Sequence, residues 1–185
     1  MIVEIFLVCL IAKLKRYKLR YLFSTWTFYP ILVVQLLLVL FQFSIFLKTS
    51  FFIQFVPYTE PAIILSFLFA LFGFKLYKPA IAGSASIVGG TLLNKLVIAQ
   101  NGGHMPVYPT LSYLTGYVSP ESFGSIDSLH ILGNSVTKLK FLTDYIDYGY
   151  SILSIGDVLI HLFVCFMLYY FIKAVNIRYG GLKRT

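Results

Sequence analysis

The sequence predicts an all-α fold, a polytopic transmembrane helical bundle, and three observations carry that expectation. The chain is 58% hydrophobic and only 12% charged, with a mean hydropathy of +0.83, whereas soluble domains are charged at roughly a quarter of their positions. Several apolar runs approach the roughly 20 residues that cross about 30 Å of hydrocarbon as helix. The basic residues flank these runs rather than lining a face interleaved with aromatics, so the net charge of +8 reads as membrane orientation and excludes nucleic acid as a partner. The expected partners are the lipid bilayer and further membrane subunits. A single membrane domain over 1–185 accounts for the length.

About five spans are expected, over roughly 1–19, 26–47, 59–77, 79–100 and 155–175, with an ordered extracytoplasmic cap over 101–153. The first segment, Met1 to Ala12, is apolar apart from Glu4 and runs into Lys13, Lys15, Arg16, Lys18 and Arg20. It spans if Leu14 and Tyr17 extend it while Lys13 snorkels; if it lies in the interface instead, four spans remain. No secretory-signal pattern opens it, so it is expected to stay in the mature protein. The second run is rich in Leu, Val and Phe, with Trp26 and Tyr29 as interface anchors. After a polar break around Pro57, Thr59, Glu60 and Pro61, the third starts with Pro61 in its first turn and closes at Lys75 and Lys78.

The fourth run differs in being rich in small residues. Ala82, Ser86, Gly90 and Asn94 recur every four positions, which places them on one helical face where another backbone can approach closely. From Asn101 to about Ser151 the chain turns to Gly, Pro, Ser and Tyr with no spanning run. That length exceeds an idle connection, and its Tyr, Leu and Ile content argues for order, so short interfacial helices are expected there. Cys9 and Cys165 fall within apolar runs without metal-site or CxxC spacing and read as small buried residues.

Charge sets the orientation. Eleven of the fifteen Lys and Arg follow the first apolar run, Met1 to Ala12, sit at 75 and 78, or lie toward the C-terminus. Five spans put all of these on one side, which the positive-inside rule makes cytoplasmic, together with the C-terminus. Residues 101–153 then lie outside, and the protein is a multi-pass component of the cell membrane.

In that topology the fourth span ends near Gln100 and the fifth begins near Ser154, so the polar residues around both meet the outer boundary at similar depth. The candidate ligand-binding residues are Asn94, Lys95, Asn101, Gly102, Gly103, His104, Asp157 and His161. A Lys95–Asp157 ion pair would offset the cost of placing ionisable groups in a span, and Asp157, His161 and Cys165 share a helical face. Structural readings stand beside these. Asn101-Gly102-Gly103 before Pro106 is also a helix C-terminal cap, Ser154 and Asp157 have the spacing of an N-terminal capping box, Lys95 can snorkel, and His161 can bond within the bundle. His104, His130, His161 and Asp157 have no diagnostic ligand spacing, so no metal site is assigned, and no nucleophile or phosphate-loop motif occurs.

Asn101-Gly102-Gly103 with Met105-Pro106, Thr137-Lys138-Leu139 and Asp144 with Ile146, and Ser154-Ile155-Gly156-Asp157-Val158-Leu159 together carry a resemblance. The chain resembles an uncharacterised bacterial membrane-protein family of unknown function marked by NGG-x-MP and SIGD-V-L elements. The resemblance implies a small multi-span protein with polar residues flanking an extracytoplasmic segment, and no activity or cofactor.

Three roles fit these residues. The first is a small-ligand-binding or accessory subunit of a membrane complex, with transport as one such setting. The second is a membrane-embedded enzyme acting on a lipid-linked or amphipathic substrate through His161, His104 or Asp157. The third is a purely structural subunit whose motifs only terminate helices. The lack of any catalytic signature weighs against the enzyme.

Overall fold

The computed structural model describes residues 1–46, 55, 58–119 and 129–181. The end of the second expected span at 47, together with Lys48, Pro57, Lys183, Arg184 and the cap stretch 120–128, lies outside the described residues. The described chain is mostly helical and divides into two compact units, residues 1–85 with 161–185, and residues 86–160.

In the first unit α1 (Ile2–Leu14) stops well short of residue 19, because Arg16 turns into the left-handed region at φ 62. Two 3-10 turns, Leu19–Ser24 and Trp26–Phe28, lead into α2 (Tyr29–Phe46). The single helix expected over 59–77 is instead two, α3 (Thr59–Ser66) and α4 (Leu68–Phe74). At the break the Ser66 hydroxyl donates back to the Ile63 carbonyl at 2.7 Å, the competition with the helix ladder that bends helices at serine. Lys75, left-handed at φ 54, ends α4 and allows α5 (Tyr77–Gln100) to start at once.

The last helix, α7 (Ile155–Gly180), supplies most of this unit's core. Phe163, Met167, Phe171, Ile172 and Val175 are buried along it, with Val8 and Ala12 of α1 and Phe67 and Ala70 also interior. Phe163 packs edge-on to Phe67 with centroids 5.9 Å apart, and Phe171 packs against Phe74 at 5.2 Å, the ring geometry that aromatic quadrupoles favour. A Cβ on Gly83 would lie 2.8 Å from the Phe163 ring, so glycine is what lets that ring in. Asn176, buried, accepts from the Lys18 backbone N–H at 2.8 Å and donates to the Lys18 and Ile172 carbonyls.

Among the described residues three helices are long and apolar enough to cross a membrane, Trp26–Ser44, Tyr77–Gln100 and Ile155–Gly180. Thr59–Phe74 is apolar but shorter. The 13 residues of α1 reach roughly 20 Å. Large apolar side chains stand exposed along these helices, among them Leu36, Leu40, Phe72, Ile81, Val88 and Leu92, far more than water tolerates on a soluble monomer.

The second unit is the later part of α5, the start of α7 and the chain between them. Short interfacial helices are expected in that connection; among the described residues it holds α6 (Leu111–Thr115) and a 3-10 turn, Lys140–Leu142, and short strands do most of the pairing. β1 (Met105–Val107) runs parallel to β2 (His130–Leu132), and β3 (Ile146–Asp147) pairs antiparallel with β4 (Ile152–Leu153). Strands of two or three residues are too short to show an alternating pattern, which is why the sequence reads as irregular there.

Candidate functional site

The second unit is organised by a close backbone approach between α5 and α7. A Cβ on Gly90 would run into the Gly156 carbonyl oxygen and lie 2.9 Å from the Ile160 side chain. A Cβ on Gly156 would lie 2.7 Å from the Gly90 carbonyl oxygen and overlap the Asn94 side chain. Neither glycine has a positive φ, so contact distance alone requires glycine at both. The small-residue face of α5 thus holds another backbone, as its spacing suggests.

That approach brings three polar side chains into one closed network. Ser154 ends the cap and caps α7: the Asp157 backbone N–H donates to the Ser154 hydroxyl at 2.9 Å, and the Ser154 N–H donates to Asp157 Oδ2 at 2.9 Å. This is the reciprocal capping box, with the acidic side chain also favourably placed at the helix N-terminus. Asn94 of α5 closes it, its Nδ2 donating to Asp157 Oδ1 at 2.8 Å and its Oδ1 accepting from the Ser154 hydroxyl at 2.9 Å. The amide orientation follows from chemistry, since a carboxylate only accepts. Ser154 is fully buried and Asn94 and Asp157 half-buried.

A second tie sits at the end of α5. Asn101 Nδ2 donates to the Val97 and Lys138 carbonyls at 2.9 and 3.1 Å, and its Oδ1 accepts the Lys138 backbone N–H at 2.9 Å. Gly102 and Gly103 are left-handed at φ 68 and 89 with open space around them, and the Gly103 N–H reaches back to the Ile98 carbonyl at 2.9 Å. These glycines are therefore chosen for conformation and terminate the helix. Half-buried His104 then leads into β1.

Asp144 is the group that sequence reasoning left out of the site. Its backbone extends the small sheet, its N–H donating to the Pro106 carbonyl at 3.1 Å and its carbonyl accepting from the Tyr108 N–H at 2.7 Å. The side chain is buried, Oδ1 accepts no hydrogen bond among the described residues, and Oδ2 lies 3.6 Å from His130 Nε2. Burial, and after it the Asp157 carboxylate, push the Asp144 carboxyl up to about 8. At 3.6 Å the imidazole is too far for a good hydrogen bond and does not offset that cost. The only sequence signal for Asp144 was its place in the family pattern. Asp147 is the opposite case: burial raises its carboxyl, but bonds from Ser112, Thr110 and Gly149 outweigh this and hold it below the usual carboxylate range.

One expected partnership does not form, and the reading of His161 as a bundle hydrogen-bonder holds. Lys95 makes no ion pair with Asp157; it is exposed, one residue and hence about 100° around α5 from Asn94, while Asp157 is occupied by Asn94 and Ser154. His161 belongs to the first unit, where its Nδ1 lies 2.8 Å from Glu4 Oε1 of α1. Its spacing from Asp157 is real, but one turn further along α7 a different acid meets it. Among the described residues no three of His, Cys, Asp and Glu converge on a metal-sized site.

A family of unknown function, DUF5317, matches over residues 20–169, and the chain belongs to it. Neither a curated protein nor a solved structure matches it.

Proposed function

We propose that the chain is a multi-pass integral membrane protein that acts as an accessory subunit of a membrane complex, presenting the segment 101–153 as an extracytoplasmic surface. The observation that carries this reading is the closed Asn94–Ser154–Asp157 network. Its polar groups are engaged with one another, as they are in a device that fixes a surface in place, rather than directed at a substrate. The Asn101–Lys138 tie supports the same reading, because it fastens the loop to the end of a membrane-length helix. The charge distribution supports a cytoplasmic basic C-terminus if the chain crosses the membrane five times as its apolar runs suggest.

The test is mild extraction of a tagged copy expressed at native level, followed by native sizing and cross-linking in the membrane. The expectation is a defined hetero-oligomer that is depleted when Asn94→Ala opens the network although the variant still accumulates in the membrane. A chain that runs alone in every extraction, with Asn94→Ala behaving as wild type, sinks the proposal. One observation favours an embedded enzyme instead, the Glu4–His161 pair, since a carboxylate that orients an imidazole is a general-base arrangement. Turnover of an amphipathic substrate that is lost in His161→Ala would establish that alternative.

A further inference from the structure

The stretch between Asn134 and Leu142 combines four features that none of the preceding assignments uses. Val136 and Phe141 are among the most exposed large apolar side chains of the second unit, at 80% and 63%. Lys138 and Lys140 between them are exposed as well. Leu139, in their midst, sits at φ 52, a left-handed conformation that L side chains rarely adopt. Leu139 packs against the cluster of Val97, Met105 and Leu142 while Lys138 and Lys140 on either side are exposed. The loop is held in this form by Asn134, which accepts the Val136 N–H at 3.0 Å and whose own N–H donates to Thr137 at 3.0 Å.

Its level is fixed by two membrane-length helices. Asn101, the first residue past α5, brackets the Lys138 peptide. Val97, about one turn before that end, and Ile155, the first residue of α7, belong to the same packing as Leu139. The loop therefore runs beside the ends of both helices and not above them. Apolar side chains flanked by lysines at that level match the chemistry of the lipid headgroup region, with the apolar groups toward the acyl chains and the ammonium groups on phosphates.

We propose that Val136–Phe141 is a bilayer-interface anchor, with Val136 and Phe141 entering the boundary between headgroups and acyl chains and Lys138 and Lys140 binding phospholipid phosphates of the same membrane. The inference rests on the membrane reading above, so its test carries a separate control for that reading. The chain has one tryptophan, Trp26. In a Trp26→Phe background, Phe141→Trp reports on the loop and Leu37→Trp on α2, where Leu37 is exposed. Each variant is reconstituted into phosphatidylcholine vesicles with and without phosphatidylglycerol, using lipids brominated either near the glycerol or near the acyl terminus.

The expected result is loss of emission from the tryptophan at 141 with the shallow bromines and little loss with the deep ones. Lys138→Gln with Lys140→Gln should reduce that loss, and more so in vesicles containing phosphatidylglycerol. Unquenched, water-like emission at 141 while the α2 reporter is quenched overturns the anchor and leaves the membrane reading standing. Unquenched but blue-shifted emission also overturns it, because protein rather than lipid then covers the loop. If neither reporter is quenched, both readings fall.

Discussion

Asp144→Asn in the cap tests whether the buried carboxyl is a neutral acid. In the fold its proton is released at about 8, against an ordinary value of 3.8. The unfolded chain gives up that proton at the lower pH while the folded chain keeps it, so the contribution of this carboxyl to stability is fully present below about 3.8. It declines as the pH rises and is fully lost once the pH passes about 8. The interval is roughly four pH units, which at about 1.36 kcal/mol each is on the order of 5 kcal/mol. Local opening of the sheet limits how much of this is observed, because the cap can expose Asp144 without unfolding the helices.

The assay is amide exchange of the Tyr108 and Asp144 N–H groups, whose bonds flank the side chain, in protein held in lipid nanodiscs. Wild-type protection, corrected for intrinsic exchange, should fall between pH 5 and 8. The asparagine variant, isosteric with the neutral acid, should hold its protection across that range and exceed wild type at the alkaline end. The groups facing the carboxyl are His130 and Asp157, so His130→Gln is the control and should keep the slope. Equal slopes in wild type and Asp144→Asn would refute the reasoning.

Gly156→Ala should destabilise the second unit by about 3 kcal/mol, since the new methyl meets Asn94 and a backbone oxygen that cannot rotate away. Gly102→Ala, strained but unobstructed, should cost only about 1 kcal/mol; the ranking is read from denaturant titration of helicity in micelles. Asn94→Ala strands the Ser154 hydroxyl and Asp157 Oδ1, each at about 1–3 kcal/mol, and should speed exchange at the Asp157 amide. Asn101→Ala should instead speed exchange at the Lys138 amide while leaving the Asp157 amide protected, at a cost of about 2 kcal/mol.

Long-period features were legible in the sequence and side-chain partnerships were only half so. The four-residue recurrence of Ser86, Gly90 and Asn94 marked the face that receives Gly156, because helical periodicity maps directly onto contact. Ser154 and Asp157 declared a capping box that formed as spaced. The sequence could not show that Asn94 would close it, since no local rule links residues sixty apart. The third expected span looked continuous because hydropathy does not register a serine that bonds its own backbone at Ile63. Glu4 appeared as a lone interruption in an apolar run, and only tertiary packing supplied His161. Asp144 was invisible as a buried acid for the same reason: burial comes from β1 and β2, which are too short to announce themselves.

The placement of the ties along α5 explains why Lys95 stands apart from residues one position away. At 100° per residue, positions 94, 97 and 101 fall within about 60° of one another. Each fastens something different: Asn94 holds the α7 capping box, Val97 the apolar cluster with Leu139, and Asn101 the Lys138 peptide. Leu92, Leu96 and Ala99 lie roughly opposite and are exposed, with Lys95 about 100° from Asn94 on their side. One stripe of α5 thus carries a polar, an apolar and a polar fastening over about two turns, and the other is free to meet lipid. A lysine on the lipid side near a helix end needs no counter-ion, because its stem reaches the headgroups. The acid it was expected to neutralise already has its hydrogen bonds from the fastening stripe and its own helix N-terminus.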